Sequence, residues 1–395
     1  MRIFAVCQFY HPENFTITPL MRQLVALGHE VTIVTGRPNA GFGHILNEYK
    51  KVKFEIIDGV KVHRLPIIAR RQNKISLIIN YFSYYFLARS FVKKHRGEYD
   101  VVFTMSLSPV ISMVPAIDFA RKHKLPLLMY CVDIWPESVV FTNNIANNSL
   151  GYRYLKNWSK RIYQAADRIL VGSPTYQTYM HEEHGIQYRK MATLVQPSLA
   201  SGLQGAPRQF EAKHNLVYIG NFGQVQLLDE LLEVLLDYKN SDLHVHLIGY
   251  GTALPRLLSF IDTNGLSQIV KYYGTLSSDV AATFIPNADA LLVPLKAGGY
   301  VGATVPNKLI LYLGYGRPII GALVGDGRNI LQEAGGGLLV TPSKDGLKQG
   351  IEWMLRLSEQ EKIALGARNI AYFNENHTLE ITAKRLESYL SELIN

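Results

Sequence analysis

Residues 220–223 form the first segment whose residue types suit the binding of a phosphate group. They read Gly-Asn-Phe-Gly and follow the apolar run HNLVYIG, which ends at Gly220. Two glycines at a turn from a strand to a helix let backbone N–H groups approach a phosphate at the helix N-terminus. A plain tight turn has the same composition. The segment therefore predicts either a phosphate-binding loop or a simple connection, and both interpretations stay open at this point.

A second candidate lies in the helical segment TVPNKLILYLGYGRP, residues 304–318. Pro306 suits the first position of a helix, where its missing N–H is harmless. The free N–H groups of Asn307 and Lys308, the positive end of the helix and the Lys308 ammonium together favour a bound anion. Leu311 stands one turn further on, where a binding site would be expected to present a polar group. We predict an anion site here, against the alternative of an ordinary surface lysine. Three glycines precede the segment: Gly298, Gly299 and Gly302.

Carboxylates follow two apolar runs in the first half of the chain. The run PLLMYCVD ends at Asp133, and Glu137 comes four residues later in CVDIWPES. A carboxylate at the end of a strand can act as a base or orient a substrate hydroxyl, and it can equally cap the next helix. The segment QFYHPEN, which ends the first predicted strand, offers His11, Glu13 and Asn14. A lone loop histidine is more often structural, so His11 is a weaker candidate.

Neither a metal nor an organic cofactor is expected from the motifs. No Asp-x-Asp pair occurs, and the spacing of histidines and cysteines does not match a metal site. Residues 249–254, GYGTAL, have two of the three glycines of a dinucleotide-binding fingerprint and lack the third. The sequence therefore favours chemistry that this chain's own side chains and backbone support.

The elements that would position these residues alternate between strands and helices. Apolar runs separated by helical patterns are typical of buried parallel sheets, which bind ligands beyond the carboxyl ends of their strands. We therefore predict two doubly wound, Rossmann-like α/β domains that face each other across a cleft, comprising residues 1–200 and 210–376. The small and turn-forming residues of 198–212 indicate the linker, and the terminal helix, within 377–395, is expected to return to the first domain. The predicted strands are 2–9, 30–36, 60–68, 100–106, 126–133, 168–173, 214–220, 244–249, 269–274, 290–295, 318–323 and 338–342.

Composition and charge set limits on the class of protein. The chain has 395 residues, of which 48% are hydrophobic and 18% charged, as in a folded globular protein with room for two cores. Two cysteines, Cys7 and Cys131, argue for a reducing compartment, and the N-terminus lacks the apolar core of a signal peptide. Residues 1–200 contain 25 Lys and Arg against 13 Asp and Glu, whereas residues 201–395 contain 16 against 19. The first half is therefore expected to face something anionic, either nucleic acid or a membrane surface.

Residues 70–96 combine an apolar, aromatic helix pattern with basic ends. Arg70, Arg71 and Lys74 lie at one end of the segment, and three more basic residues lie at the other: Lys93, Lys94 and Arg96. Such a helix can lie in the membrane interface with its basic ends on anionic headgroups. It can also be a crossover helix that packs on the sheet, and the two interpretations are compatible.

In their order and spacing these segments resemble the GT-B fold bacterial glycosyltransferases, specifically the large retaining family 4 and its fucosamine-transferase-like branch. The resemblance covers nearly the whole chain. It implies that the second domain binds a nucleotide diphosphate sugar, most often of uridine. It also implies that the first domain holds a sugar acceptor on a polyprenyl diphosphate at an anionic membrane surface, rather than nucleic acid. The segments that carry it are HPENF (11–15), LGHEVTIVTGRPN (27–39), DGVKVHRLPII (58–68), VDIWPES (132–138), YIGNFGQVQ (218–226), VPNKLILYLGYGRPIIG (305–321) and GDG (325–327).

The resemblance also assigns roles to single positions. Asp133, less strongly Glu137, and Lys308 are the expected catalytic groups, and His11, Glu13 and Asn14 are the expected acceptor contacts. Two positions where relatives have glutamates are Ala303 and Leu311, and the second of those glutamates grips the ribose. Gln224 stands where many relatives have a phosphate-binding arginine. The expected donor-binding positions are Gly220, Asn221, Phe222, Gly223, Gly249, Tyr250, Gly251, Thr304, Val305, Pro306, Asn307 and Leu311.

Three functions remain open on the sequence. The first is a metal-independent glycosyltransferase that acts in the synthesis of cell-surface polysaccharide, in the cytoplasm at the inner face of the cell membrane. The second is an epimerase that acts on a nucleotide sugar and needs no acceptor. The third is a non-catalytic member of a polysaccharide assembly complex, suggested by the absence of the second glutamate.

Overall fold

The computed structural model describes residues 1–13, 15–71, 73–106, 109–141, 149–198 and 206–394. The chain forms two compact units, one of residues 1–196 with 379–395 and the other of residues 197–378. Part of the predicted linker, residues 199–205, lies outside the described residues.

The first unit begins with an alternation of strands and helices. Its strands are β1 (Arg2–Val6), β2 (Glu30–Gly36), β3 (Phe54–Ile57), β4 (Val60–Leu65), β5 (Val101–Ser106), β6 (Leu127–Cys131), β7 (Arg168–Val171) and β8 (Met191–Thr193). Its helices up to residue 196 are α1 (Ile17–Ala26), α2 (Lys74–Lys94), α3 (Val114–His123), α4 (Glu137–Phe141), α5 (Leu150–Gln164) and α6 (Pro174–His184).

The second unit repeats the alternation. Its strands are β9 (His214–Ile219), β10 (Leu243–Ile248), β11 (Val270–Tyr272), β12 (Ala290–Pro294), β13 (Ile319–Ala322) and β14 (Gly337–Val340). Its helices are α7 (Leu228–Leu235), α8 (Leu254–Thr263), α9 (Ser278–Ala282), α10 (Gly299–Gly302), α11 (Asn307–Tyr315), α12 (Gly325–Ala334), α13 (Lys344–Arg356) and α14 (Glu359–Asn376). The terminal helix α15 (Leu379–Ser391) follows and belongs to the first unit.

The sheet of the first unit has the order β3-β4-β2-β1-β5-β6-β7-β8, and its neighbours pair in parallel except β3 with β4. The sheet of the second unit has the order β11-β10-β9-β12-β13-β14 with parallel pairing throughout. In each sheet the strands were added on one side of the first strand and then on the other, β1 in the first unit and β9 in the second, as in doubly wound sheets. The predicted fold class of two parallel-sheet α/β domains is therefore confirmed.

Two strands were missing from the sequence prediction. Strand β3 forms an antiparallel hairpin with β4 around Asp58 and Gly59, which both have positive φ. An Asp-Gly pair between apolar runs is a recognised hairpin signal, so the sequence did contain the information. Strand β8 has only three residues and pairs with β7 at the edge of the sheet. A segment that short shows no periodicity to recognise.

Helix α15 belongs to the first unit because its apolar face has partners there. Ala383, Leu386 and Leu390 are buried in one cluster with Leu20 and Leu24 of α1. The side chain of Glu387 also accepts a hydrogen bond from His29 at 2.6 Å. The terminal segment therefore returns to the first unit, as its helical pattern suggested.

Candidate functional site

The loops after β9 and β10 lie side by side at the carboxyl edge of the second sheet. The N–H of Gly220 donates to the Ile248 carbonyl at 2.9 Å, and the N–H of Phe222 donates to the Tyr250 carbonyl at 3.0 Å. The carbonyl of Phe222 in turn accepts from the Ala253 N–H at 2.9 Å. These bonds extend the pairing of two strands into their loops, and they fix the shape of the edge.

Close approach of the two loops explains why glycine stands at 249 and 251. A Cβ atom at Gly249 would collide with the carbonyl oxygen of Gly220, and one at Gly251 would collide with the carbonyl oxygen of Phe222. Gly249 also has a φ of +137°, which side chains disfavour. The expected nucleotide loop is therefore tightly constrained by its neighbour.

The same hydrogen bonds correct one expectation about phosphate binding. The N–H groups of Gly220 and Phe222 are used by the fold, and the N–H of Gly223 donates to the Gln226 side chain at 2.8 Å. Within the described part of the chain no hydrogen-bond acceptor is assigned to the Asn221 N–H, so it is the one of the four N–H groups that the turn does not use. The expectation that N–H groups of this loop approach a phosphate is therefore limited to Asn221, because the turn itself uses the N–H groups of both glycines.

Phe222 does not contribute its side chain to a binding surface. It is 1% exposed and packs in the core of the second unit, with its ring near those of Tyr218 and Tyr272. Burial of this apolar ring is favourable, and it anchors the loop to the core of the second unit. The predicted donor contact at Phe222 is therefore replaced by a structural role.

Lys308 lies against the base of the same loop. Its Nζ atom donates a hydrogen bond to the hydroxyl of Tyr218 at 2.6 Å and stands 3.9 Å from the centre of the Tyr218 ring. Tyr218 donates in turn to the carbonyl of Asn221 at 2.6 Å. A Cβ atom at Gly220 would come within 2.9 Å of the ammonium, so glycine leaves room for it.

Burial lowers the pKa of Lys308 to about 7, because the interior disfavours the charged form. Among the described residues no carboxylate forms an ion pair with it. A diphosphate placed beside the Nζ atom would supply the missing negative charge and restore the ammonium. The amine is thus able to respond to an anionic ligand.

Helix α11 begins one residue later than the sequence suggested. Pro306 is the residue that precedes the helix, with extended ψ, and Asn307 is the first helical residue. The helix still presents the N–H groups of Asn307 and Lys308 at its start, since the first bond of the turn runs from Leu309 to the Pro306 carbonyl. The expected anion-binding end of the helix therefore remains in place.

The Gly-Asp-Gly segment at 325–327 braces the approach to α11. The N–H of Asp326 donates to the Ala303 carbonyl at 2.8 Å. A Cβ atom at Gly325 would collide with that carbonyl, and one at Gly327 would lie 2.9 Å from Pro306. This structural role was not recognised in the sequence. Thr304 and Val305 lie in the braced segment, both half-buried.

A cavity of about 410 Å³ opens beside these loops. Five expected donor-binding residues line it: Gly220, Asn221, Gly249, Tyr250 and Leu311. The rest of the lining was missed by the sequence analysis and consists of Thr275, Leu276, Ser278, Ala281, Ala282, Ile285 and Tyr315, with Ile219 and Ile248 at the strand ends. Because residues 275–278 follow strand β11, the same rule about carboxyl ends of strands would have found them. The other expected donor-binding residues lie outside this lining, as does the expected catalytic residue Lys308. They are Phe222, Gly223, Gly251, Thr304, Val305, Pro306 and Asn307.

Leu311 contributes an apolar side chain of α11 to the lining of the cavity. It stands one turn after Lys308 and one turn before Tyr315, and it is half-buried. Among the described residues that line the cavity there is no carboxylate. Gln224 is exposed on the neighbouring loop, and Ala303 is packed against Gly325.

In the first unit Asp133 stands two residues after the end of strand β6. Burial raises the pKa of its carboxyl to about 7, and within the described residues no hydrogen bond or ion pair holds it. Its negative charge helps to raise the pKa of the Tyr81 hydroxyl, whose burial is the larger cause, and the positive charge of Arg70 opposes the increase. Tyr81 therefore lies within electrostatic range of both Asp133 and Arg70. A carboxyl with this pKa can take up or release a proton near neutral pH.

Glu137 is less available than Asp133. The hydroxyl of Tyr152 donates to its Oε1 atom at 2.8 Å. Helix α4, which begins at Glu137, is fixed to α5 by this bond. The carboxylate is therefore partly occupied in joining two elements.

The expected acceptor contacts at 11–14 separate in the structure. Glu13 is 5% exposed, and its Oε1 atom accepts from the N–H groups of Asn39 and Ala40 at 2.7 and 2.6 Å. The His11 ring lies 3.4 Å from the Arg22 guanidinium, and burial lowers its pKa. Asn14 lies outside the described residues. Glu13 thus acts first as an anchor for residues 39–40.

The basic, aromatic segment forms the single helix α2. Asn73 precedes the helix, and its side chain caps the first turn by accepting a hydrogen bond from the Ser76 N–H at 2.7 Å. One face of the helix is buried through Asn80, Tyr84, Ala88 and Val92. In the described chain no helix has both the length and the apolar character required to cross a membrane. The crossover interpretation is therefore correct for one face of the helix.

The opposite face of α2 is apolar and exposed. Its residues recur at spacings of three and four, with exposures between 43% and 72%. They are Ile75, Ile78, Ile79, Phe82 and Phe86. A continuous exposed apolar face of this kind is uncommon on a surface that contacts only water.

Comparison with known proteins matches both halves of the chain to transferase families. Residues 14–195 match the family described as glycosyl transferase 4-like domain, and residues 213–357 match the family described as glycosyl transferases group 1. A relative in Pseudomonas aeruginosa, described as probable glycosyltransferase WbjE, is 23% identical over 234 residues. That match spans 57% of this chain and 57% of the relative.

Solved structures share the fold at low identity. The sucrose-phosphate synthase from Thermosynechococcus elongatus superimposes with a TM-score of 0.73 at 15% identity, covering 100% of this chain and 99% of that one. The Anabaena protein Alr3699/HepE in complex with UDP superimposes with a TM-score of 0.69 at 12% identity, covering both chains fully, at 100% each. With a glycosyl transferase 4-like domain followed by a group 1 domain on this fold, the chain belongs to the GT-B glycosyltransferases.

Proposed function

We propose that the protein transfers a sugar from a nucleotide diphosphate sugar to a lipid-linked acceptor, in the synthesis of bacterial cell-surface polysaccharide. The observation that carries the proposal is Lys308. An amine with a pKa of about 7, without a carboxylate partner among the described residues, stands at the start of α11 against Gly220, and Gly220 lines the 410 Å³ cavity. That arrangement suits a diphosphate leaving group.

Such a reaction requires stabilisation of the departing diphosphate, which gains negative charge as the glycosidic bond breaks. The Lys308 ammonium, the first N–H groups of α11 and the Asn221 N–H are the donors available to stabilise that charge. Asp133 is the candidate that deprotonates or positions the acceptor hydroxyl. Neither role requires a metal ion, and we propose a metal-independent mechanism.

The finer details of the donor rest on the relatives. The Anabaena neighbour was crystallised with UDP and with UDP-glucose, which makes a pyrimidine nucleotide the first donor class to test. Retention of the anomeric configuration, a hexosyl or N-acetylaminosugar donor and membership of the fucosamine-transferase-like branch are proposals that the sequence resemblance supports.

The proposal places the reaction in the cytoplasm, at the inner face of the cell membrane. Both cysteines are buried free thiols, which suits a reducing compartment. The exposed apolar face of α2 and its basic ends suit peripheral attachment to an anionic membrane surface. Binding of this kind weakens as salt screens the charges, so flotation with liposomes at low and high salt measures it.

A screen of nucleotide sugars by thermal shift tests the donor half, because a ligand that binds only the native state raises the unfolding temperature. The best donor is then incubated with the protein alone and with membrane lipid extract. A glycosylated lipid supports the proposal, whereas an isomerised donor sugar without acceptor identifies an epimerase. If no nucleotide binds, the protein is a non-catalytic member of an assembly complex and the proposal is wrong.

A further inference from the structure

Tyr218 lies between two groups that the proposed function assigns to the diphosphate. It is the second-to-last residue of β9, and its side chain is fully buried. Its hydroxyl accepts a hydrogen bond from the Nζ atom of Lys308 at 2.6 Å and donates one to the carbonyl of Asn221 at 2.6 Å. A single buried oxygen therefore joins the start of α11 to the loop after β9.

The direction of these two hydrogen bonds is fixed. A carbonyl oxygen can only accept, so the one proton of the Tyr218 hydroxyl is directed to Asn221, and the lone pairs of the hydroxyl oxygen face Lys308. Burial, and to a lesser extent Tyr312, raises the pKa of the hydroxyl above its usual range, so the oxygen keeps this proton. Tyr218 therefore holds the amine as an acceptor.

The ammonium of Lys308 keeps two N–H groups for a ligand. It has three in all, and among the described residues the Tyr218 hydroxyl is the one hydrogen-bond partner of its Nζ atom. A Cβ atom at Gly220 would come within 2.9 Å of the Nζ atom, so the amine lies directly against the loop that carries Asn221. The donors of the helix and of the loop are therefore close neighbours.

The backbone of Asn221 is held on both sides. The N–H of the preceding residue, Gly220, donates to the Ile248 carbonyl at 2.9 Å, and the carbonyl of Asn221 accepts from Tyr218. The Asn221 N–H is the one N–H group of residues 220–223 that the turn does not use. Because it lies between these two fixed points, its direction depends on the Tyr218 hydroxyl.

Tyr312 is a second tyrosine that ties α11 to the end of β9. It lies four residues after Lys308, is fully buried, and its hydroxyl accepts from the Ile219 N–H at 2.8 Å. The hydroxyl of Tyr218 contacts Lys308 and Asn221, whereas that of Tyr312 contacts the backbone of Ile219. The two residues therefore separate a role in the site from a role in the packing of the helix.

We propose that Tyr218 is a positioning residue of the donor site, whose hydroxyl holds the Lys308 amine and the Asn221 N–H in one fixed arrangement for the diphosphate. Donors that are already in place stabilise growing negative charge without a cost of reorganisation. The inference rests on the proposed function for the identity of the anion. It deepens that function by adding a residue that acts through two other groups.

Tyr218→Phe tests the contact because it removes one oxygen and keeps the ring beside the amine. The first measurement needs no ligand and follows the acetylation of Lys308 by acetic anhydride, which requires the unprotonated amine, by mass spectrometry. An accepting oxygen stabilises the ammonium, so its removal should move the half-maximal rate to lower pH, by about half a pH unit or more. Tyr312→Phe should leave the midpoint in place. An unchanged midpoint in the Tyr218 variant would overturn the proposal.

The second measurement is the binding of inorganic pyrophosphate and of UDP by calorimetry. Tyr218→Phe should weaken both about tenfold, whereas Tyr312→Phe should change them by about twofold or less, since hydrogen bonds to charged groups are the stronger ones. Thermal unfolding is recorded for both variants, because each loses a hydrogen bond of a buried hydroxyl. Equal weakening of binding in the two variants would show that Tyr218 only supports the fold.

The kinetics of sugar transfer distinguish positioning from simple binding. Tyr218→Phe should lower kcat on the order of tenfold to hundredfold, because small displacements of groups at a reacting centre are costly. It should also move the basic limb of the kcat/KM profile to lower pH, as in the acetylation experiment. A rise in KM alone, with the basic limb in place, contradicts the positioning role.

A double variant shows whether Tyr218 acts through Lys308. In a Lys308→Ala background, Tyr218→Phe should weaken the binding of pyrophosphate by about threefold or less, because the Asn221 N–H is then the one donor left to misplace. The same tenfold loss in both backgrounds would mean that the two residues act independently, and the inference would be wrong.

The inference and the proposed function fail in different ways. A protein that binds pyrophosphate, more weakly with Tyr218→Phe, and transfers no sugar would keep this role for Tyr218 while the transferase proposal fails. A protein that transfers sugar equally well with Tyr218→Phe would keep the transferase function and lose this role.

Discussion

The ammonium of Lys308 and the hydroxyl of Tyr218 are joined by a hydrogen bond of 2.6 Å, although the two residues are 90 positions apart in the sequence. The same ammonium lies 3.9 Å from the centre of the Tyr218 ring. Tyr218 is fully buried, so it fixes the amine at the mouth of the loop that begins at Gly220. The contact positions the amine of Lys308, and burial lowers its pKa.

Lys308→Ala should lower the rate of sugar transfer without loss of the fold. Removing one preorganised donor of charge stabilisation costs on the order of 10²–10³ in kcat. Turnover with saturating donor measures the effect, and thermal unfolding checks the fold. Lys348→Ala is the control, since Lys348 is an exposed lysine of the same unit that pairs with Asp237. Unchanged turnover in the Lys308 variant would remove the phosphate assignment.

The pH dependence of kcat/KM should be bell-shaped with a maximum near pH 7. Asp133 is an effective base only when it is ionised, and because its pKa is raised to about 7, it ionises as the pH rises through 7. Lys308 is a cation only when it is protonated, and because its pKa is lowered to about 7, it loses its charge as the pH rises above 7. Activity should therefore fall on both sides, and kcat/KM reports these groups in the free enzyme.

Asp133→Asn tests the acidic limb of that profile. We expect a loss on the order of 10²–10⁴ in kcat and an activity that no longer falls as pH decreases below 7. Glu137→Gln, in contrast, should keep the acidic limb, because Glu137 is bonded to Tyr152. A profile in which the Asn variant retains the limb would show that another group is the base.

Leu311→Glu should tighten the binding of a ribonucleotide such as UDP. Leu311 lines the 410 Å³ cavity of the second unit, one turn beyond Lys308, and a carboxylate there can accept hydrogen bonds from ribose hydroxyls. Charged hydrogen bonds contribute about 1.5–3 kcal/mol, so an increase in affinity on the order of tenfold is expected by calorimetry. Leu311→Met is the apolar control. Weaker binding of UDP by the Glu variant would mean that the pentose is held elsewhere.

Gly249→Ala should destabilise the second unit far more than Gly265→Ala. Both glycines have positive φ, which costs an alanine about 1–2 kcal/mol in the left-handed region of Gly265 and about 1–3 kcal/mol at the φ of +137° of Gly249. Gly265 has open space around it, whereas a Cβ atom at Gly249 collides with the Gly220 carbonyl, so its total should reach about 3 kcal/mol or more. Urea unfolding measures the difference, and nucleotide binding should weaken in parallel. Equal destabilisation of the two variants would contradict the close approach of the two loops.

The sequence by itself determined the fold class and the identity of the two main candidate groups. Apolar runs predicted the strands because a sheet covered on both faces leaves a local pattern that needs no knowledge of partners. Lys308 and Asp133 were predicted because both stand near the carboxyl end of an apolar run or at the start of a helix. Those features are properties of neighbouring residues.

Only the tertiary structure decided which groups are free to act. The N–H groups of Gly220, Phe222 and Gly223 looked available in the sequence, and the fold consumes them. The lowered pKa of Lys308 and the raised pKa of Asp133 come from burial, which depends on residues far away in the chain. Hydrogen-bond partners and desolvation are set by what folding brings together, and a local pattern carries no record of them.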